Sequence, residues 1–507
     1  MNQPERSSQI FKLPYDILLA IFRHHVRNLR RKIEPLDWLS FTHVCRTWRA
    51  AALESPSLWT RPDFRFPNIA REMLKRSRSL PIALDICTLA VAKREELAIE
   101  ALTEHLPRIA FLELPFSGPV LERVLRVAVH PASSLHTLRL TNKYGGNNGS
   151  ALRVALPHNF LGGASARLRR LSVKGLLIPW NSTFLKDLTH FDVELPSVST
   201  PDLSLSQLVQ ILRRCPALGT LNMWNCLYTA NEDIPPADLP QLRELRVSTK
   251  FPVLIKLMSS LKLHPSTELH LSVDAKGGGV PSPEDMTHLV SLSLRSIERN
   301  NRRKKIKALS FERLQNGSLT CTAWRNIPSK ELKTSRPFFT LSFLVLPNAP
   351  PDLREYVDAV LQAAPISKLL TLDLIQVSML PRTIQLLSTL TKLEVLDLSL
   401  PPSMHPCVTE FIGALGVRKR SDASHSQQRT PFPSLQTLHL HNVEFGSYSR
   451  AIALRSLFLK NLRSRRKRGV GNPKLVLTSC RGLSRRDIRK LRKLVPKVRR
   501  IYETSDD

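Results

Sequence analysis

The chain has 507 residues, 42% of them hydrophobic, and a formal net charge of +33 from 75 Lys and Arg against 42 Asp and Glu. That apolar content can fill a sizeable core and argues against wholesale disorder, and the length suits a small domain followed by a large one. No stretch is long and apolar enough for a membrane span, the start MNQPERSSQ has no apolar h-region, and seven cysteines without regular pairing fit reduced thiols of a cytoplasmic or nuclear protein.

The first predicted element is a helix opening at Pro14, where a missing N–H costs nothing. Ile17, Leu18, Ile21 and Phe22 follow at helical spacing. A second helix is predicted from Asp37, carrying Leu39, Phe41, Val44, Cys45 and Trp48, with Arg46 and Arg49 on other faces. Two or three short helices make a thin core and leave apolar side chains in need of a partner, either the next domain or another protein.

In order, the segment reads Leu13-Pro14-Tyr15-Asp16-Ile17-Leu18-Leu19-Ala20-Ile21-Phe22, then Val44-Cys45-Arg46-Thr47-Trp48-Arg49, then Pro56-Ser57-Leu58-Trp59. This series resembles an F-box. The resemblance implies a helical docking domain over residues 8–62 that binds a Skp-type adaptor and brings targets to a cullin-based ubiquitin ligase for degradation. By the same resemblance, adaptor contact falls to Leu13, Pro14, Ile17, Leu18, Ile21, Phe22, Val44, Cys45, Trp48, Leu58 and Trp59. Which of these face the adaptor and which hold the small domain together stays open. The spacer 23–36 departs from the pattern by its length and its basic residues Arg23, Arg27, Arg30, Arg31 and Lys32, and in length it resembles fungal F-box proteins.

After residue 80 one pattern returns, an L-x-x-L-x-L spacing whose last two apolar positions alternate as in a strand. It runs through Ile109/Leu112/Leu114, Leu135/Leu138/Leu140, Leu168/Leu171/Val173, Leu188/Phe191/Val193, Leu218/Leu221/Met223 and Leu242/Leu245/Val247. A degenerate copy at Leu269/Leu271/Val273 leads to Leu289/Leu292/Leu294, Leu341/Leu344/Leu346, Leu369/Leu372/Leu374, Leu393/Leu396/Leu398 and Leu435/Leu438/Leu440. Weaker copies sit at Leu84/Ile86 and Leu475/Leu477. Helical stripes fall between, at Leu205, Leu208, Val209, Ile211 and Leu212 and at Leu353, Val357, Val360 and Leu361, with Pro216 and Pro365 as stops. A strand and a helix cannot bury their own apolar faces, but stacked units can. The expectation is therefore an α/β chain in which an irregular leucine-rich-repeat horseshoe of parallel strands and helices spans 63–480. It carries a basic insertion with one poor repeat over 297–336 and polar loops at 416–433 and near Gly145.

No catalytic arrangement is evident: there is no C-x-x-C, H-E-x-x-H or G-x-S-x-G, and Gly277-Gly278-Gly279 lacks a following Lys-Ser or Lys-Thr. The expectation is a non-enzyme without cofactor or metal. Asn222 and Asn225 read as turn formers. Residues 451–507 hold 18 Lys or Arg against 4 Asp or Glu. Within them Arg463, Arg465, Arg466, Lys467 and Arg468 form a run that reads either as a nuclear-import or anion-binding element or as a solvated loop. A basic helix over 484–500, in the terminal segment 481–507, is predicted to cap the repeats through Ile488, Leu491, Leu494 and Val495. The sequence thus reads as a substrate-recognition adaptor of cytoplasm or nucleus, with an unidentified target protein on the repeats. The alternative is a basic nuclear protein whose tail contacts nucleic acid or acidic partners.

Overall fold

A computed structural model describes residues 13–29, 36–86, 92–143, 154–163, 167–195, 201–230, 233–274, 281–300, 305–315, 317–327, 336–344, 352–399, 405–416, 430–445 and 449–501. The expected loop near Gly145, residues 417–429 of the loop expected over 416–433, and the Gly277-Gly278-Gly279 run lie outside them. The chain divides into two compact units, Met1–Leu227 and Tyr228–Asp507, so the span expected as one repeat domain falls in both. No described helix is long and apolar enough to cross a membrane.

The first unit opens with helices. α1 is Tyr15–Leu29, a 3₁₀ turn covers Asp37–His43, α2 is Arg46–Glu54, a second 3₁₀ turn covers Pro56–Leu58, and α3 is Pro67–Arg76. The single helix expected from Asp37 is thus two elements. Cys45 breaks it: its backbone is extended (φ −159°, ψ 171°) and its thiol caps α2 by accepting the Trp48 N–H at 3.4 Å. Parallel strands follow in chain order: β1 Ile82–Asp85, β2 Ile109–Phe116, β3 Thr137–Asn142, β4 Arg170–Lys174, β5 His190–Glu194 and β6 Thr220–Trp224. Helices α4 Ala92–His105, α5 Gly118–Val127 and α6 Leu205–Arg213 lie between them in sequence.

Register explains the repeat. Leu112, Leu138, Leu171, Phe191 and Leu221 are successive partners across β2 to β6 and all are buried. The alternate row, Glu113, Arg139, Ser172, Asp192 and Asn222, faces away from that core. Each fully buried leucine of such a row contributes about 1.5–3 kcal/mol relative to exposure. Asn222 therefore sits on a strand and not in a turn, whereas Asn225 does turn the chain at φ 57°.

The second unit contains β7 Glu244–Thr249, α7 Phe251–Ser260, β8 Glu268–Asp274 and α8 Pro283–Asn300. Then come β9 Ala308–Arg313, β10 Leu319–Trp324, β11 Phe339–Leu344, α9 Leu353–Ala363 and β12 Thr371–Ile375. The end is α10 Pro381–Ser388, β13 Val395–Ser399, α11 His405–Ala414, β14 Thr437–His441, α12 Ser449–Lys467, β15 Lys474–Thr478, α13 Arg485–Leu494 and β16 Val498–Ile501.

Three expectations fail here. Leu289, Leu292 and Leu294 are not a strand but part of α8, where Met286, Leu289, Val290 and Leu294 are buried at helical spacing. Ser282 and Asp285 close the start of that helix by reciprocal bonds, Asp285 N–H to Ser282 Oγ at 3.1 Å and Ser282 N–H to Asp285 Oδ2 at 3.0 Å. The region expected as an insertion supplies two core strands instead. β8 pairs with β11, β11 with β10, β10 with β9 and β9 with β12, so the hairpin is spliced into the sheet out of chain order. β10 is antiparallel to both neighbours, which breaks the all-parallel expectation. Leu309, Phe311, Leu319, Cys321 and Ala323 alternate into the core. The hairpin turn needs Gly317, whose φ of 81° penalises a side chain.

The C-terminal segment is not a detached tail. α13 ends at Leu494, short of the expected 500, and β16 joins the sheet beside β15. Ile488, Leu491 and Val495 are buried, and Leu494 is half-buried.

Candidate docking site

The N-terminal helices close around an aromatic core. Phe22 stacks on Phe41 at 4.4 Å between ring centroids and meets Trp48 edge-on at 5.2 Å; Trp38 meets Trp59 edge-on at 5.0 Å. Leu18, Leu19, Ala51, Ala52, Leu58 and Met73 fill the space between. The Trp59 indole N–H donates to the Ala52 carbonyl at 2.9 Å, which satisfies its polar atom inside the core. Such aromatic pairs add about 0.5–1.5 kcal/mol each beyond their area, which matters in so small a core.

α1 wraps this core with one face and offers the other to solvent. Leu18 and Phe22 point in, while Ile17 is 50% exposed, Ile21 44% and Tyr15 47%. Pro14 is exposed beside them, and Val44 is 51% exposed ahead of α2. This geometry sorts the candidate residues. Leu18, Phe22, Trp48, Leu58 and Trp59 build the domain; Pro14, Ile17, Ile21 and Val44 form an apolar outer surface; Leu13 and Cys45 are half-buried. Tyr15, at the first position of α1, is also exposed, but helical spacing sets it on the side of Leu19 and Phe22 and not beside Ile17. The domain is anchored to the strands behind it: Ala83 N–H donates to the Thr60 carbonyl at 2.9 Å, and Arg108 reaches Ser77 Oγ and the carbonyls of Leu74 and Leu80 at 2.8–3.1 Å.

The polar face of the first unit's strands forms an open groove of about 370 Å³, lined among others by Glu113, Arg139, Arg170, Ser172, Lys174 and Asp192. Arg139 pairs with Glu113 at 3.3 Å, Lys174 with Glu194 at 2.8 Å, and Ser172 Oγ donates to Asp192 at 2.8 Å. The hydrogen bond to Glu194 holds Lys174 above the ordinary lysine range. The face offers polar and charged contacts of both signs, which suits recognition of a polar surface. Burial pushes the Cys226 and Cys321 thiols well up and Cys480 to about 11, which leaves them poor nucleophiles.

The basic run at 463–468 needs a correction. It lies largely in α12 and is not a loop, and Arg465 is fully buried. Its guanidinium donates to the carbonyls of Pro431 at 2.6 Å, Phe432 at 3.0 Å and Gly471 at 3.2 Å, and so ties three chain segments together. Arg466 donates to the Lys493 carbonyl, a further internal tie. Arg463, Lys467 and Arg468 are exposed. Arg465 is therefore structural and unavailable to a surface anion. The exposed positive charge concentrates instead on α13, at Arg485, Arg486, Arg489, Lys490, Arg492 and Lys493.

No curated protein matches the chain. α1, α2 and the three tryptophans of the core lie within residues 10–65, the span that matches the family model of the F-box-like domain.

Proposed function

We propose that this protein is a substrate-recognition adaptor, in which the N-terminal domain docks a Skp-type adaptor of a cullin-based ubiquitin ligase and the strand-and-helix units present a target for degradation. The observation that carries the reading is the two-sided α1: its inner face is consumed by the core, and its outer face leaves Ile17 and Ile21 exposed without a role in the fold. The F-box-like match over the same residues supports the partner class. A leucine-rich-repeat-like arrangement is the reading we favour for the rest, on the strength of the buried leucine rows, with the hairpin of β9 and β10 as an irregularity. The target would meet the polar strand face, where residues alternate with the leucines. Replacing Ile17 and Ile21 by Asp in the full chain is expected to abolish co-purification of the adaptor with the circular-dichroism melt unchanged. Wild-type recovery of the adaptor by that variant would sink the docking assignment.

A second reading has its own observation. The six exposed cations of α13 face solvent on one ten-residue helix and would contact nucleic acid or an acidic protein. Binding of a DNA or RNA duplex that weakens steeply between 50 and 200 mM salt would favour it.

A further inference from the structure

The polar face of the second unit holds a cluster that neither docking nor core packing uses. His439 and His441 lie two residues apart on β14 and so share one face of the strand. Asp397 on β13 is the direct register partner of His439. Its two oxygens are divided between the rings: Oδ2 lies 3.1 Å from His439 Nδ1, and Oδ1 lies 2.9 Å from His441 Nε2. The three ligand atoms all fall within 4.8 Å of one another, and all three residues are half-buried.

We propose that Asp397, His439 and His441 form a binding site for a divalent zinc-class cation on this face. Nitrogen and oxygen ligands at about 2.0–2.2 Å from a tetrahedral zinc lie roughly 3.3–3.5 Å from each other. Each ring lies within a few tenths of an ångström of this separation from one oxygen of Asp397, and the three ligand atoms lie within 4.8 Å of one another, so a small adjustment of the rings and the carboxylate accommodates the ion. Two imidazoles and a carboxylate suit zinc and its first-row neighbours and not calcium or magnesium, which prefer all-oxygen shells. Each ring must hold its proton on the nitrogen away from Asp397 when the ion binds, a tautomer shift that releases no proton from a neutral histidine. The side chains keep 15–25% of their surface exposed, which leaves a fourth position toward solvent, for water or for a group of a bound partner.

The neighbourhood separates this cluster from a second one. Along its own row, Asp397 and His439 are flanked by Asp373 on β12 and Val476 on β15. The nearest flanking charge is therefore negative and favours a cation. The other grouping, Glu244, Glu268 and His270, already contains a cation: Arg246 pairs with Glu244 at 2.5 Å and is the register partner of His270. That guanidinium competes for the carboxylate and repels an ion, so the second cluster serves as an internal control.

The test is calorimetric titration of zinc into the full chain, with a competing chelator of micromolar affinity to suppress loose surface binding. One equivalent is expected to bind to the wild type. His439→Ala, His441→Ala and Asp397→Asn are each expected to lower the affinity at least tenfold, while His270→Ala leaves it unchanged. A cobalt(II) titration of the wild type reads the same site independently of any variant, as visible bands of tetrahedral intensity. Absence of a stoichiometric zinc site in the wild type, absence of the cobalt bands, or wild-type affinity in the His439→Ala/His441→Ala double variant, overturns the proposal.

Discussion

Replacing Arg465 by Gln is the sharpest probe of the C-terminal architecture. The guanidinium is fully buried and donates to three backbone carbonyls, at Pro431, Phe432 and Gly471. Burial lowers its pKa from the ordinary arginine value, but an arginine starts so high that it remains charged. Hydrogen bonds to a charged donor contribute about 1.5–3 kcal/mol each, and glutamine can replace at most one of the three. Against that, the variant no longer buries a cation, and the Nε of Arg465 makes no hydrogen bond in the native state, which offsets part of the loss. The net expectation is about 2–4 kcal/mol of destabilisation, or an opening equilibrium shifted by roughly 30- to 900-fold. Amide hydrogen exchange of α12 and β15 reads it directly, because local opening there need not follow the other unit. Lys467→Gln and Arg468→Gln, on exposed residues, are the controls and should shift stability by less than about 0.5 kcal/mol. Protection in α12 that is unchanged by Arg465→Gln would show that the three carbonyl bonds do not hold the segments together.

Phe22→Ala removes a side chain with no solvent exposure that touches both Phe41 and Trp48, and should cost about 3–5 kcal/mol. It is expected to abolish adaptor recovery by unfolding the helices, with loss of near-ultraviolet tryptophan ellipticity, whereas the Ile17 and Ile21 changes leave that signal intact. For Asp487, burial would raise the carboxyl pKa, but hydrogen bonds from Ser484 and the charge of Arg455 more than reverse this and hold it below the usual range. A depressed folded value means that the carboxylate stabilises α13 above the unfolded pKa of about 3.9 and loses that effect as pH falls through its folded value. Asp487→Asn should cost about 1 kcal/mol at pH 7 and flatten the acid limb of the α13 protection profile; an acid limb of unchanged slope would count against the cap.

The core of the strands was legible because L-x-x-L-x-L encodes a two-residue period that burial enforces: Leu138, Leu171 and Leu396 are all buried where the pattern puts them. The same letters misled at Leu289, Leu292 and Leu294, since the template ignores what precedes it. Ser282-Pro283-Glu284-Asp285 is a helix-start signature, and Met286 sets the helical period. β9 and β10 alternate without repeat leucines, as Ala308-Leu309-Ser310-Phe311 shows, so their membership of the sheet had no signature in the repeat. At the docking surface, residue types were legible but direction was not. Ile17 and Leu18 are adjacent apolar letters, and only packing against Trp48 and Trp59 decides which turns inward. Arg465 failed for the opposite reason: a charge run is normally a solvated face, and one member was buried because three carbonyls, from Pro431-Phe432 and from Gly471, converge on it.

The spliced hairpin bears on how the second unit is assembled in time and how its gene could grow. In an array of in-order repeats each new strand finds its edge about two dozen residues after the last, as Thr371 finds Val395. Here Leu269 must meet Phe339, and Ala308 must meet Thr371, each across more than sixty residues, before the later strands have an edge to extend. That closure carries a larger loop entropy and marks the slow step for a nascent chain, with β8 left as an open edge until β11 emerges. Duplication or loss of a single unit is tolerable in the run β13 to β15, where each strand pairs only with the strands before and after it in the chain. Between β8 and β12 a strand cannot be copied or dropped alone, so that block is inherited whole.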